Sequence, residues 1–257
     1  MSDTSASTSA SLRKCVVCGK ETITRCSACS SAGLDWMYFC SVEHQKLVWF
    51  MHKRVCGERS NPFQWPGLRP EEVKDMLEIS QLPADSDGRL TTWLDGFSGA
   101  KNLPSTLENY LNDANETAIG ETQTSEKNVM IINRRSQAYS CRRGIFNATA
   151  NRRERTGEPM PMIPQDPIDM AASVAARLGL HRCHLTGSFD WLSEFEHFHL
   201  FYIALATLII DPRNPYKELY EGIAHVTSEL NEIIKEKVEP RYPEIARELR
   251  EHGPHLK

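Results

Sequence analysis

Apolar positions recur at helical spacing over most of the chain beyond residue 61, and with little regularity before it. Residues 166–180, 188–210, 216–238 and 243–252 place apolar side chains three and four apart, the repeat that turns one helix face towards a core. Shorter helices are expected at 105–111 and from Pro70, a first-turn proline followed by Glu71 and Glu72 at the positive end of the helix dipole. The run 198–210 is the most apolar, yet it is only about two-thirds of a membrane span. Asp190, Glu194, Glu196, His197 and His199 crowd the start of that helix, so it reads as the buried centre of a helical domain. Residues 112–125 are polar and read as a loop. No stretch alternates as a half-buried strand would, and residues 61–257 therefore read as all-α. Before them, one helix is expected at 42–53, unbroken by Gly or Pro, with His44, Val48 and His52 every fourth position on one face.

Length and punctuation divide the chain. In 257 residues, a small module and one domain of ordinary size fit naturally. The division expected is a disordered Ser/Thr/Ala-rich tail at 1–13, a compact module at 14–57, and an α-helical domain at 61–257. The tail lacks the apolar core of a secretory signal, so an intracellular protein of nucleus or cytoplasm is expected, with its thiols reduced. The net charge of −4 points to no particular partner.

Chemistry concentrates in the module. Cys15-x2-Cys18, Cys26-x2-Cys29, Cys40-x3-His44 and His52-x3-Cys56 use six of the eight cysteines of the chain. Each pair sets two donors about one turn or one tight loop apart, close enough to reach one tetrahedral zinc ion. Histidines at two of these positions have no use in a disulfide framework, and reduced CxxC pairs read as metal ligands. Two zinc ions per chain are expected. A segment this short cannot bury a self-sufficient core, so the metal is expected to supply the folding energy, and chelation to unfold the module. Spacing alone leaves two arrangements open, consecutive pairs on each ion or interleaved ones.

The stretch Cys40-Ser41-Val42-Glu43-His44-Gln45-Lys46-Leu47-Val48-Trp49-Phe50-Met51-His52-Lys53-Arg54-Val55-Cys56, with Cys15-x2-Cys18-x7-Cys26-x2-Cys29 before it, resembles a MYND zinc finger. The resemblance covers residues 15–56. It implies short strands plus one helix, and interleaved sites: Cys15, Cys18, Cys40 and His44 on one ion, and Cys26, Cys29, His52 and Cys56 on the other. His44 stands where the family usually has cysteine, which makes the first site three thiolates and an imidazole. The resemblance further implies a groove for short proline-containing peptides, with Gln45 bonding the peptide backbone and Trp49 stacking on its apolar side chains. A competing use for Trp49 is packing against residues 61–66.

The finger is only mildly basic. Eight Lys/Arg and four Asp/Glu between Arg13 and Arg59 give +4, and six thiolates with two Zn²⁺ reduce this to about +2. That is too little for a nucleic-acid footprint. A basic segment at 134–155, with Arg134, Arg135, Arg142, Arg143, Arg152, Arg153 and Arg155, offers an alternative, nucleic-acid-binding role linked to transcription. The simpler reading is a solvated face that pairs with the acidic helices elsewhere in the chain. His181, Cys183, His184, His197 and His199 cluster in sequence, but His197 and His199 point opposite ways on a helix and read as ordinary histidines. A third metal there would mark a metalloenzyme. No Asn-His-x-Cys-x-Pro-Asn run of a SET methyltransferase, no P-loop, no Gly-x-Ser-x-Gly and no His-Glu-x2-His is present, and a non-enzymatic interaction protein is expected.

Overall fold

The structure is a computed structural model, and it describes residues 13–60, 63–67, 70–71, 74, 132, 135–136, 139, 167–177, 190–210, 216 and 218–252. The expected disordered tail up to residue 12, the expected helix at 105–111 and the expected loop at 112–125 lie outside the described residues, as does most of the basic segment, while Arg13 at the end of that tail begins a strand. The chain divides into two compact units, Met1–Phe63 with Trp191–Lys237, and Gln64–Asp190 with Val238–Lys257. The unit that holds the cysteine-rich segment is thus larger than the 14–57 read from sequence, and takes in two helices from far along the chain.

In the first unit, β1 (Arg13–Lys14) pairs antiparallel with β2 (Glu21–Thr22), in register Arg13 with Thr22 and Lys14 with Glu21. The turn between them is closed by Cys15 N–H donating to Lys20 O at 2.8 Å and Gly19 N–H to Cys15 O at 2.8 Å. Gly19 has φ 68°, the left-handed conformation that a side chain resists. A short helix α1 (Ser27–Ser31) follows. The extended segment to Phe39 returns alongside, with Cys26 N–H on Met37 O and Phe39 N–H on Thr24 O.

The expected helix at 42–53 forms in two pieces, α2 (Val42–Leu47) and α3 (Trp49–His52). Ser41 caps the first, its Oγ accepting from His44 N–H at 3.2 Å, with Glu43 at the favourable end of the dipole. The break falls at Val48, whose φ −101° and ψ 7° leave the α region while its side chain is fully buried. One straight helix would carry His44 and His52 along a single line about 12 Å apart. The step at Val48 lets each histidine serve its own cluster. A 3-10 turn at Gly57–Arg59 ends the segment.

Two long helices complete this unit. Helix α5 (Asp190–Ile210) corresponds to the expected run at 188–210, and α6 (Leu219–Ile233) continues into a π turn at Ile234–Val238. The expectation that α5 is buried holds, but its surroundings are not those of a separate helical domain. Ser193 Oγ donates to Ser60 O and accepts from Phe63 N–H, both at 3.0 Å. One turn on, the His197 ring meets Phe63 at 4.7 Å and Trp36 at 6.2 Å. A further turn on, Phe201 lies 6.3 Å from Phe39 and 5.7 Å from His52. Ser193, His197 and Phe201 thus form a stripe at every fourth position, and its partner is the cysteine-rich segment. Helix α6 meets the β1–β2 turn backbone to backbone. A Cβ on Gly222 would stand 2.1 Å from Val17 O, and one on Gly19 3.2 Å from Glu221 O. Lys237 pairs with Glu194.

In the second unit, α4 (Pro167–Arg177) buries Ile168, Ala171, Ala172 and Ala175, and α7 (Pro243–His252) buries Ala246 and Leu249. Arg250 forks onto the Glu239 carboxylate at 2.8 and 2.5 Å. No helix among the described residues is long and apolar enough to cross a membrane.

Candidate metal centre

Six cysteines and two histidines converge on two points. Cys15, Cys18, Cys40 and His44 bring one donor atom each to within 4.8 Å of one another, and Cys26, Cys29, His52 and Cys56 do the same. Of the two arrangements that spacing allowed, the interleaved one is formed. The β1–β2 turn supplies Cys15 and Cys18, and the start of α2 supplies Cys40 and His44. Cys26 and Cys29 flank the first turn of α1, while His52 ends α3 and Cys56 lies just before the 3-10 turn.

The spacing of the donors is that of zinc ligands. Cys18 and Cys40 sulfurs are 3.5 Å apart, Cys40 Sγ is 3.2 Å from His44 Nδ1, and Cys15 Sγ is 3.7 Å from the same nitrogen. In the second cluster, Cys26–Cys56 and Cys29–Cys56 are 3.5 and 3.6 Å, with Cys29 Sγ 3.6 Å from His52 Nε2. A tetrahedron with Zn–S of about 2.3 Å and Zn–N of about 2.0 Å has edges of roughly 3.5–3.8 Å. A disulfide would need sulfurs at about 2.05 Å, and all six thiols are free.

Electrostatics also calls for a cation. Burial pushes the Cys18 thiol up to about 12 and Cys56 up to about 11, with neighbouring sulfurs adding to the effect, and burial raises Cys40 too. A hydrogen bond between Cys26 and Cys29 drives Cys29 up and Cys26 down. Bare thiolates are costly at Cys18, Cys40 and Cys56, where burial dominates. A dication in each cluster reverses the balance, because a coordinated thiol loses its proton outright. The two Cys3His sets fit two zinc ions.

The remaining residues singled out from sequence fall in varied places. Trp49 starts α3 with 42 % of its surface exposed, and its indole stands edge-on to the His52 ring at 5.6 Å. Gln45 is half-buried on α2. Phe50 and Val42 are also exposed, whereas Val48 and Met51 are buried. His197 is wholly buried, with Nδ1 2.7 Å from Ser193 O, and burial lowers its pKa to about 4. His199 is buried against Phe195 at 5.9 Å, and neither histidine belongs to a metal cluster among the described residues. His181, Cys183 and His184 lie outside the described residues.

Of the arginines in the basic segment, Arg135 is described, and it is not on a solvated face. It is fully buried in the second unit, donates to Gly67 O at 2.6 Å and lies 3.8 Å from Asp169. A buried guanidinium with these partners is unavailable to a phosphate backbone. Sequence reading also passed over Glu218, whose Oε1 is 3.7 Å from His44 Nε2. Its distance along the chain hides it, since no spacing rule links residue 218 to residue 44.

Comparison with known proteins places a family on this geometry. Residues 15–56 match the MYND finger. No curated protein and no solved structure matches the chain.

Proposed function

Taking residues 15–56 as a MYND finger, a zinc-binding protein-interaction module, we propose that the protein is a non-enzymatic intracellular adaptor whose finger takes short proline-containing peptides. One observation carries this reading. Trp49 leaves 42 % of its surface open and Phe50, next to it in the chain, leaves 40 %, while Val48 and Met51 are buried. Its indole meets the imidazole of His52, a ligand of the second cluster, edge-on at 5.6 Å, a contact that helps to hold the ring in place. A rigid, open indole suits proline, because an extended proline-rich peptide has already lost most of its conformational freedom and docks on aromatic surfaces at low entropic cost. Phe50 and Val42 extend the apolar surface, and Gln45 offers an amide that both donates to and accepts from a peptide backbone. Free, zinc-ligating thiols suit a reducing compartment, nucleus or cytoplasm.

The test is a proline-rich peptide array probed with zinc-loaded protein and with Trp49→Ala. Loss of binding by at least about tenfold, at two zinc per chain in both proteins, supports the groove, since an aromatic anchor at such a site is worth about 2 kcal/mol or more. Equal binding by both proteins removes Trp49 from the reading, and no binding by either removes the peptide class.

A further inference from the structure

The two histidine ligands present different ring nitrogens to their clusters. His44 turns Nδ1 to Cys40 and Cys15, and His52 turns Nε2 to Cys29. The nitrogen left over therefore meets different surroundings. In His52 it is Nδ1, buried without a hydrogen-bond partner, and the ring is held by aromatic contacts with Phe39, Trp49 and Phe201 at 5.6, 5.6 and 5.7 Å. In His44 it is Nε2, and it faces the Glu218 carboxylate at 3.7 Å.

Glu218 is held there by the backbone. It precedes α6, and its carbonyl accepts from Glu221 and Gly222 N–H at 3.1 and 3.3 Å. Gly222 in turn lies directly against Val17 O, between the two cysteines of the first cluster. The close approach at Gly222 thus sets the first turn of α6 beside the metal ligands, with Glu218 at its leading edge.

We propose that Glu218 is the outer-shell partner of the first zinc site, a positioning residue whose carboxylate, 3.7 Å from His44 Nε2 and a side-chain rotation short of hydrogen-bond distance, closes on the Nε2 proton and so keeps Nδ1 as the metal donor. A metal-bound imidazole carries its proton on the other nitrogen, and an acceptor for that proton fixes both tautomer and ring orientation. The site's charge narrows the role further. Three thiolates and Zn²⁺ sum to −1, so a second anion nearby is favoured only through the N–H it accepts. Orientation, and not charge, is then the contribution of Glu218, and glutamine, which keeps an acceptor oxygen, supplies most of it.

The experiment follows zinc transfer from the full-length, two-zinc protein to a chromophoric chelator. It is run with Glu218→Ala, Glu218→Gln, His44→Cys and the His44→Cys/Glu218→Ala double variant. The proposal expects Glu218→Ala to release one of its two zinc ions about 10–100-fold faster, the usual cost of losing an outer-shell partner, with the second ion unaffected. Glu218→Gln stays within a few-fold of the parent, and Glu218→Ala adds nothing to His44→Cys, which has no imidazole to orient. Long-range ¹H–¹⁵N spectra of the histidine rings supply a second readout, in which His44 changes in Glu218→Ala and His52 does not. Unchanged release together with an unchanged His44 ring overturns the proposal. So does an acceleration that persists in the His44→Cys background, because Glu218 would then act by holding α6 in place.

Discussion

Gly222 is the residue on which packing in the first unit depends most sharply. Inside a helix, alanine is ordinarily better than glycine by about 0.5–1 kcal/mol. Here a Cβ would meet Val17 O at 2.1 Å and Val17 C at 2.5 Å. Backbone on the far side cannot rotate away as a side chain can, so the clash outweighs the helix propensity. Gly222→Ala is expected to destabilise by about 3 kcal/mol, the upper part of the overpacking range, read as a lowered urea midpoint of the zinc-loaded protein. A midpoint that stayed or rose would show that α6 lifts off the Cys15–Cys18 turn at little cost. His197 makes a second prediction, on pH. Its pKa falls from 6.5 to about 4 because burial disfavours the imidazolium. The unfolded chain therefore binds a proton that the folded one refuses between those values, and stability falls as pH is lowered from about 6.5 to 4. The shift corresponds to roughly 3 kcal/mol at most. His197→Phe should make the urea midpoint fall less steeply than the parent's across that pH window, the remaining slope coming from His225, whose burial also lowers its pKa to about 4, and from the zinc ligands; a slope as steep as the parent's would place the acid sensitivity elsewhere.

At the scale of elements, the legible and the illegible separate cleanly by range. The metal ligands could be read because paired donors three or four positions apart are a local signal, and the helices at 167–177, 190–210 and 243–252 because apolar periodicity is local too. The two breaks from expectation are both tertiary. The helix expected at 42–53 divides at Val48, with His44 on one piece and His52 on the other, each in its own cluster, an arrangement that propensity does not register. Helix α5 read correctly as buried, yet nothing in its own sequence names what buries it. Ser193, His197 and Phe201 look like an ordinary mixed stripe until Ser60, Phe63, Trp36, Phe39 and His52 are set opposite. Arg135 is the converse case, a charge that reads as surface and lies buried against Gly67 O and Asp169. The α5 contact carries its own prediction. Ser193 Oγ is at once donor to Ser60 O and acceptor from Phe63 N–H. Ser193→Ala removes both bonds at once, and should cost about 1–2 kcal/mol, measured by thermal unfolding of the zinc-loaded protein. Ser193→Thr, which keeps the hydroxyl, should recover most of it.

For the molecule as a whole, these contacts change what zinc removal does. Sequence alone expects chelation to unfold a small module. In the structure, the clusters and the helices share one apolar interior. Phe201 of α5 packs on the ligand His52, and α6 lies on the Cys15–Cys18 turn. A structural zinc site supplies on the order of 10–16 kcal/mol, as much as the whole net stability of an ordinary domain, about 5–15 kcal/mol. Losing two such sites removes more free energy than α5 and α6 can replace, since their inner faces would then meet water where Phe39, His52 and Val17 had been. Hydrogen exchange before and after a strong zinc chelator decides the matter. Amides of residues 195–205 and 222–233 should lose protection in the same step as those of residues 15–56, and regain it with two equivalents of zinc. Retained protection in both helices, with exchange confined to the finger, would mean that the helical pair folds by itself and only borrows the finger as a cover.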